Sequence, residues 1–107
     1  MARRAKFTLV FAREAIEHLD TIQAKHQGAI QRAIDAQLSS TPDVPTRNRK
    51  PLEQPAPFDA MWELRCGLQN RFRVFYEIDP ELGMVRVLAI GVKERDRLII
   101  GGEEFRS

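Results

Sequence analysis

The sequence predicts an α+β fold, in which a small, mainly antiparallel sheet carries an N-terminal helical hairpin on one face. Apolar residues recur at helical spacing between about residues 13 and 39, and Gly28 weakens that pattern near its middle. They alternate with the two-residue period of strands at 6–11 and 61–78, and residues 84–92 form an almost continuous apolar run. Helices and strands that are segregated in this way favour an α+β fold over repeated βαβ units.

The N-terminal third should form one strand and two helices. The strand is expected at residues 6–11, with Phe7, Leu9 and Phe11 on one side. The helices are expected at about 13–25 and 27–39, and Pro42 prevents the second from continuing. Each helix has an apolar stripe that must be buried, and the sheet is the available partner. The stripes consist of Ala15, Ile16, Leu19 and Ile22, and of Ala29, Ile30, Ala33, Ile34 and Leu38.

Residues 61–78 should form the central hairpin, two strands joined by a tight polar turn. This pattern places Arg65 and Arg73 on adjacent strands, where a guanidinium has little freedom to lose and suits a phosphate. The residues expected to pack against the helices in one core are Trp62, Leu64, Cys66, Val74, Val87 and Ala89, facing Ile16, Leu19, Ile30 and Ile34.

An irregular connector and a C-terminal tail flank this hairpin. Residues 42–57 hold five of the six prolines and include the basic run Thr46-Arg47-Asn48-Arg49-Lys50. That run is either a solvated loop or a loop that contacts phosphate. Residues 79–83 have a turn signature, and 84–92 have the pattern of an interior strand. Residues 98–100 are expected to form a short strand or helical turn that packs back.

Composition limits the class of protein. The 107 residues allow one domain, expected to span 1–107, and the net charge of +2 is too small to establish nucleic-acid binding. The single cysteine, Cys66, excludes an internal disulfide and is expected to be a small core residue. No apolar run reaches the roughly 20 residues of a membrane span, and the N-terminal run does not match a signal peptide. A cytoplasmic location is therefore expected.

Four segments, in order, resemble the RelE/ParE superfamily of bacterial type II toxins, in its RelE-like branch. They are TRNRKPL at 46–52, WELR at 62–65, FRVFYEID at 72–79 and VLAIGVKERDRLIIGGEEF at 87–105. The resemblance covers nearly the whole chain and implies a toxin paired with an antitoxin. RelE-type members cleave mRNA in the ribosomal A site and so inhibit translation, whereas ParE-type members share the fold and poison DNA gyrase.

The resemblance also implies site residues. Arg65 falls on a basic position of the family, Arg73 on the arginine that contacts the scissile phosphate, and Lys93 on a second phosphate-stabilising position. Two positions depart from the RelE pattern, since Glu63 stands where a lysine is proposed as general base and Ile99 stands where the catalytic tyrosine would be.

RNA cleavage requires a base for the 2′-hydroxyl, positive charge at the phosphate and an acid for the leaving oxygen. Arg65, Arg73 and Lys93 suit the second task. Lys93 could also be the base if several arginines lie close to it, or Glu63 could be the base with Lys93 as the acid. Alternatively, Glu63 simply pairs with Arg65 or Arg73. His18 and His26 are expected to be surface or helix-end residues. The residues expected to contact RNA are Arg47, Arg49, Lys50, Arg71 and Arg95.

Three functions remain open from the sequence. The first is a ribosome-dependent mRNA endoribonuclease. The second is a non-enzymatic, ParE-like gyrase poison, and the third is a decayed family member that only binds a partner. No metal or other cofactor is expected. The expected partners are a cognate antitoxin and, for the nuclease, mRNA on the ribosome together with ribosomal RNA.

Overall fold

The computed structural model of the protein describes residues 6–106. The basic start of the chain, on which the signal-peptide prediction partly depends, lies outside the described residues. Within these residues the chain forms two α-helices, seven strands and two short 3-10 helices, at Pro57–Asp59 and Leu68–Asn70. The α-helices and strands are β1 (Thr8–Phe11), α1 (Arg13–Asp20), α2 (Ala24–Leu38), β2 (Arg49–Pro51), β3 (Trp62–Cys66), β4 (Phe72–Asp79), β5 (Met84–Glu94), β6 (Arg97–Ile100) and β7 (Glu103–Glu104).

The strands form one sheet in the order β2-β3-β4-β5-β6-β7, and each neighbouring pair along this path is antiparallel. β1 pairs in parallel with the first part of β5, opposite residues 84–87. β6 pairs with the last part of β5, opposite residues 91–94. The predicted α+β class is confirmed. β2, within the proline-rich connector, and β7 were not predicted, and residues 97–100 form a strand.

The main core lies between the helices and one face of the sheet, which confirms that both helices pack on the same side. Leu19, Ile30 and Ile34 of the helices are buried with Leu64 and Val74 of the sheet. The predicted alternation holds, because the helix-facing residues of the central hairpin are the ones assigned to its buried face. These are Trp62, Leu64, Cys66, Phe72, Val74, Tyr76 and Ile78.

Two residues expected in this core lie elsewhere. Ile16 is 51% exposed, because the buried side of α1 is narrow and is filled by Ala15 and Leu19, four residues apart. Ala89 belongs to a second apolar cluster on the opposite face, with Phe75 and Ile100. A β-bulge causes this change of face. The register shifts between Phe75 and Tyr76, which pair with Ala89 and Val87, so Leu88 is an extra residue that reverses the alternation beyond it.

The break between the helices comes earlier than predicted. α1 ends at Asp20, where the Thr21 hydroxyl donates a hydrogen bond to the His18 carbonyl oxygen at 2.6 Å. α2 begins at Ala24, so Gly28 lies inside it rather than at the junction. Neither helix of residues 6–106 has the length and apolar character needed to cross a membrane.

His18 fills a gap at the edge of β5. Along that edge, pairing with β1 ends at Val87 and pairing with β6 begins at Gly91. The backbone N–H of Ile90, in the gap, donates to Nδ1 of His18 at 3.3 Å. Burial lowers the pKa of His18 below its ordinary value of 6.5, against the opposing effect of Glu17 and Glu14. The neutral imidazole is therefore the form that accepts the hydrogen bond from Ile90 in the folded chain.

Stability should consequently depend on pH through His18. Because the pKa is lower in the folded chain, the unfolded chain takes up the proton first, and folding is weakened as the pH falls below 6.5. The free energy of unfolding, measured with urea, should be constant in this respect above pH 6.5 and decline below it. His18→Asn retains an acceptor but cannot titrate, so it should lose this slope. An unchanged slope in that variant would contradict the assignment.

Candidate functional site

Two arginines and a glutamate form a compact ion-pair cluster on the sheet face opposite the helices. Arg65 on β3 and Arg73 on β4 are direct cross-strand partners, an arrangement that repels when both side chains are charged. Glu63 relieves this repulsion. Its Oε1 lies 3.3 Å from Nε of Arg65 and 3.6 Å from Nη1 of Arg73. We refer to Glu63, Arg65 and Arg73 as the Glu63 cluster.

The members of the Glu63 cluster differ in exposure. The side chains of Glu63 and Arg73 are 10% and 15% exposed, whereas that of Arg65 is 39% exposed. Burial lowers the pKa of Arg73, Glu63 opposes the change and Arg65 adds to it. A guanidinium nevertheless remains charged in proteins. The cluster thus has a sheltered ion pair, Glu63–Arg73, and a more accessible cation, Arg65.

Gly91 fixes the strand beside Arg73. It is the cross-strand partner of Arg73 on β5, and it also pairs with Ile100 on β6. A Cβ at this position would lie 2.8 Å from the carbonyl oxygen of Ile99 and 2.9 Å from Cγ1 of Ile100. Glycine therefore permits the close approach of β6. Lys93 lies two residues further along β5, on the same face of the sheet as Arg73.

Lys93 belongs to a second group of cations at the end of the sheet. A cavity of about 330 Å³ is lined by Arg71, Lys93, Glu94, Arg95 and Arg97, and we call it the turn cavity. The N–H of Lys93 donates to the Arg71 carbonyl oxygen at 2.8 Å, which joins the two strands here. The structure thus brings together three predicted residues, Arg71, Lys93 and Arg95. Arg97 was not predicted, although its position across a two-residue turn from Glu94 was a usable signal.

The basic run in the connector is divided between the two faces of the sheet. Arg47 and Lys50 are exposed, and Lys50 is the cross-strand partner of Glu63, so it extends the charged face. Arg49 pairs with Leu64 and points to the helix side, where it is only 7% exposed. A buried side chain on the helix side of the sheet does not suit the predicted contact of Arg49 with RNA.

Arg49 instead joins the connector to the end of α2. Its Nη1 donates to the carbonyl oxygens of Gln37 and Thr41, at 2.5 and 2.6 Å, and to the Thr41 hydroxyl at 3.0 Å. Carbonyl groups in the last turn of a helix lack partners within that helix, and a cation there also opposes the negative end of the helix dipole. Arg49 is therefore a buried structural residue that links the connector to the end of α2.

Two other reactive side chains are structural. The hydroxyl of Tyr76, the single tyrosine, is buried and donates to the Pro42 carbonyl oxygen at 2.7 Å. Burial raises the pKa of Tyr76 well above its ordinary value, so it does not serve as an acid or base near neutral pH. Cys66 is a core residue, as predicted, and burial raises the pKa of its thiol to about 11.

His26 occupies the first turn of α2, in agreement with the expectation of a helix-end residue. Its ring lies 5.1 Å from the Phe72 ring, and it shares a cavity with Arg71 and Ile99. This proximity of His26 to Arg71 was not predicted, because the two residues are far apart in the sequence. Ile99, the residue at the family's tyrosine position, lies on β6 opposite Val92.

The fold is a helical hairpin on one face of a mainly antiparallel sheet, and the sequence comparisons show the family of proteins to which the chain belongs. A family model described as the ParE toxin of the type II toxin-antitoxin system, parDE, matches residues 9–97. The chain therefore belongs to this toxin family, and the resemblance to the RelE/ParE superfamily is confirmed. No curated protein was found to match it in sequence. Membership implies a toxin with a cognate antitoxin as its partner.

Proposed function

We propose that this toxin inhibits translation as a ribosome-dependent mRNA endoribonuclease that acts in the cytoplasm. The observation that supports it most is the Glu63 cluster, in which one carboxylate lies between two guanidinium groups on the face opposite the helices. Fixed cations next to a carboxylate supply the charge stabilisation and the proton acceptor that RNA transesterification requires. No metal has to take part in this chemistry.

The reaction would divide the tasks among four side chains. Glu63 accepts the proton of the 2′-hydroxyl, whose oxygen attacks the adjacent phosphorus. Arg65 and Arg73 stabilise the charge that develops on the phosphoryl oxygens. The bond from phosphorus to the 5′-oxygen breaks, and Lys93 gives that oxygen a proton. The products are a 2′,3′-cyclic phosphate and a free 5′-hydroxyl.

The exposed cations around the Glu63 cluster would hold the flanking RNA. Lys50 on β2 is the cross-strand partner of Glu63 on β3. Arg47 is exposed and lies two residues before the start of β2. Arg71 and Arg95 line the turn cavity with Lys93. Such contacts act mainly through phosphate and should therefore weaken as salt is raised.

The test is cleavage of a defined mRNA on programmed ribosomes, located by primer extension, with naked mRNA as the control. The wild-type toxin should cut the ribosome-bound message. Glu63→Gln should retain the size of the side chain but lose the proton acceptor, with a loss of about 10²–10⁴ in cleavage rate. If the wild-type toxin arrests growth but leaves the ribosome-bound mRNA uncut, the nuclease function is excluded.

The second candidate is a non-enzymatic gyrase poison, and two observations favour it. The matching family is described as the ParE toxin, and the side chains of Glu63 and Arg73 are only 10% and 15% exposed and pair with each other. A structural ion pair would have the same geometry. Inhibition of gyrase supercoiling by the purified chain, without cleavage on ribosomes, would support this candidate. A chain that affects neither target would instead fit a member that binds its partner alone.

A further inference from the structure

A second cavity, distinct from the Glu63 cluster, opens at the end of the sheet. It lies between the α1–α2 connection and strands β4–β6 and has a volume of about 410 Å³. We call it the His26 cavity. Its lining includes His26, Arg71, Phe72, Val92, Glu94 and Ile99.

Planar groups and an apolar wall dominate the His26 cavity. The His26 and Phe72 rings have centroids 5.1 Å apart and are tilted by 45°. The guanidinium carbon of Arg71 lies 5.8 Å from the centroid of the same Phe72 ring. Imidazole and guanidinium planes are the surfaces on which proteins stack the unpaired bases of RNA. Val92 and Ile99 add apolar surface beside them.

Charge near the His26 cavity complements a phosphate group. Arg71 lines both this cavity and the turn cavity, where Lys93, Arg95 and Arg97 add three further cations. Glu94 also lines both and offers a hydrogen-bond acceptor to the amino group of a base. Arg71 therefore suits a phosphate group and His26 suits a flat aromatic base, and a nucleotide combines the two.

We propose that the His26 cavity binds one nucleotide of single-stranded RNA, with its base against His26 and its phosphate at Arg71 and the turn cavity. This deepens the proposed function, on which it rests for the identity of the ligand as RNA. Phe72 and Val92, in the wall, immediately adjoin Arg73 and Lys93 on the opposite face. A strand bound at the Glu63 cluster would thus pass around the end of β4 and place a neighbouring nucleotide here.

The experiment is an NMR titration of the free toxin with each of the four ribonucleoside 5′-monophosphates and, separately, with inorganic phosphate. The two imidazole C2–H signals of the chain, from His18 and His26, are followed. Saturable shifts of the His26 signal with a nucleotide are expected, and the His18 signal should not move. His26→Ala should weaken binding about tenfold, since the alanine offers no flat surface on which the base can stack. His26→Phe keeps an aromatic plane and should restore most of it.

Three outcomes would overturn the inference. They are no saturable binding, an equal response to inorganic phosphate alone, and nucleotide binding that His26→Ala leaves unchanged. Circular dichroism spectra must match across the variants, and Arg71→Ala gives an independent check because it should weaken both nucleotide and phosphate binding. The titration needs no ribosome. Nucleotide binding without mRNA cleavage would therefore reject the proposed function while retaining this cavity, and the reverse result would reject the cavity alone.

Discussion

Replacing Arg73 with alanine should abolish toxicity while leaving the chain folded. Loss of one preorganised donor of positive charge typically lowers a rate by about 10²–10³, and Arg73 is the more sheltered of the two guanidiniums beside Glu63. Cleavage on programmed ribosomes and growth after induction are the measurements. Arg86→Ala is the matched control, because Arg86 is an arginine on the neighbouring strand that pairs with Glu77 at 3.2 Å and is 36% exposed.

The Arg73 prediction separates catalysis from folding. The Arg73→Ala chain should bind its antitoxin and unfold near the wild-type urea concentration, whereas its cleavage rate falls. Arg73→Lys keeps a charge but loses the planar fork, so only partial activity is expected. Full toxicity of Arg73→Ala would show that the reactive site lies elsewhere.

Replacing Arg49 with alanine should have the largest effect on stability. The change removes the Nη1 group, whose two N–H hydrogens are shared among three acceptor atoms, and leaves the Gln37 and Thr41 carbonyl groups without their charged donor. Hydrogen bonds to charged groups contribute about 1.5–3 kcal/mol each, though not additively, so a loss of about 3 kcal/mol or more is expected. Unfolding in urea measures it.

Arg47 provides the control for Arg49. It is an arginine of the same basic run, two residues away and exposed, so Arg47→Ala should change stability by no more than about 0.5 kcal/mol. RNA affinity at low salt should show the reverse order, because Arg47→Ala should weaken RNA binding more than Arg49→Ala does. Equal stability of the two variants would mean that Arg49 is not a structural link between the connector and α2.

Local patterns were sufficient for much of the fold. Alternation alone assigned the buried face of the central hairpin, because each strand side chain there follows the pleat without interruption. The same rule was wrong for Ala89, since a bulge is set by tertiary pairing and leaves no clear mark in the apolar run. Ile16 shows the other limit. A helical stripe defines a direction, but the partner's shape decides how wide the buried part is.

The candidate site was less accessible to sequence reasoning. The hairpin pattern placed Arg65 and Arg73 on adjacent strands, and the register makes them direct partners. The fate of Arg49 could not be predicted, because a proline-rich connector gives no period from which to assign a strand and its faces. The proximity of His26 to Arg71 could not be predicted for a related reason. It arises from the packing of the helix connection on the sheet, which sequence separation does not encode.

The parallel pairing of β1 with β5 also limits when the toxin can become active during its own synthesis. β1 is synthesised well before residues 84–87, its partners on β5. Lys93 and Gly91 follow later still on the same strand. Folding by long-range contacts of this kind is slow compared with local helix formation. The sheet that carries the Glu63 cluster can therefore be completed only after β5 has been synthesised, so a nascent chain lacks the finished surface until then.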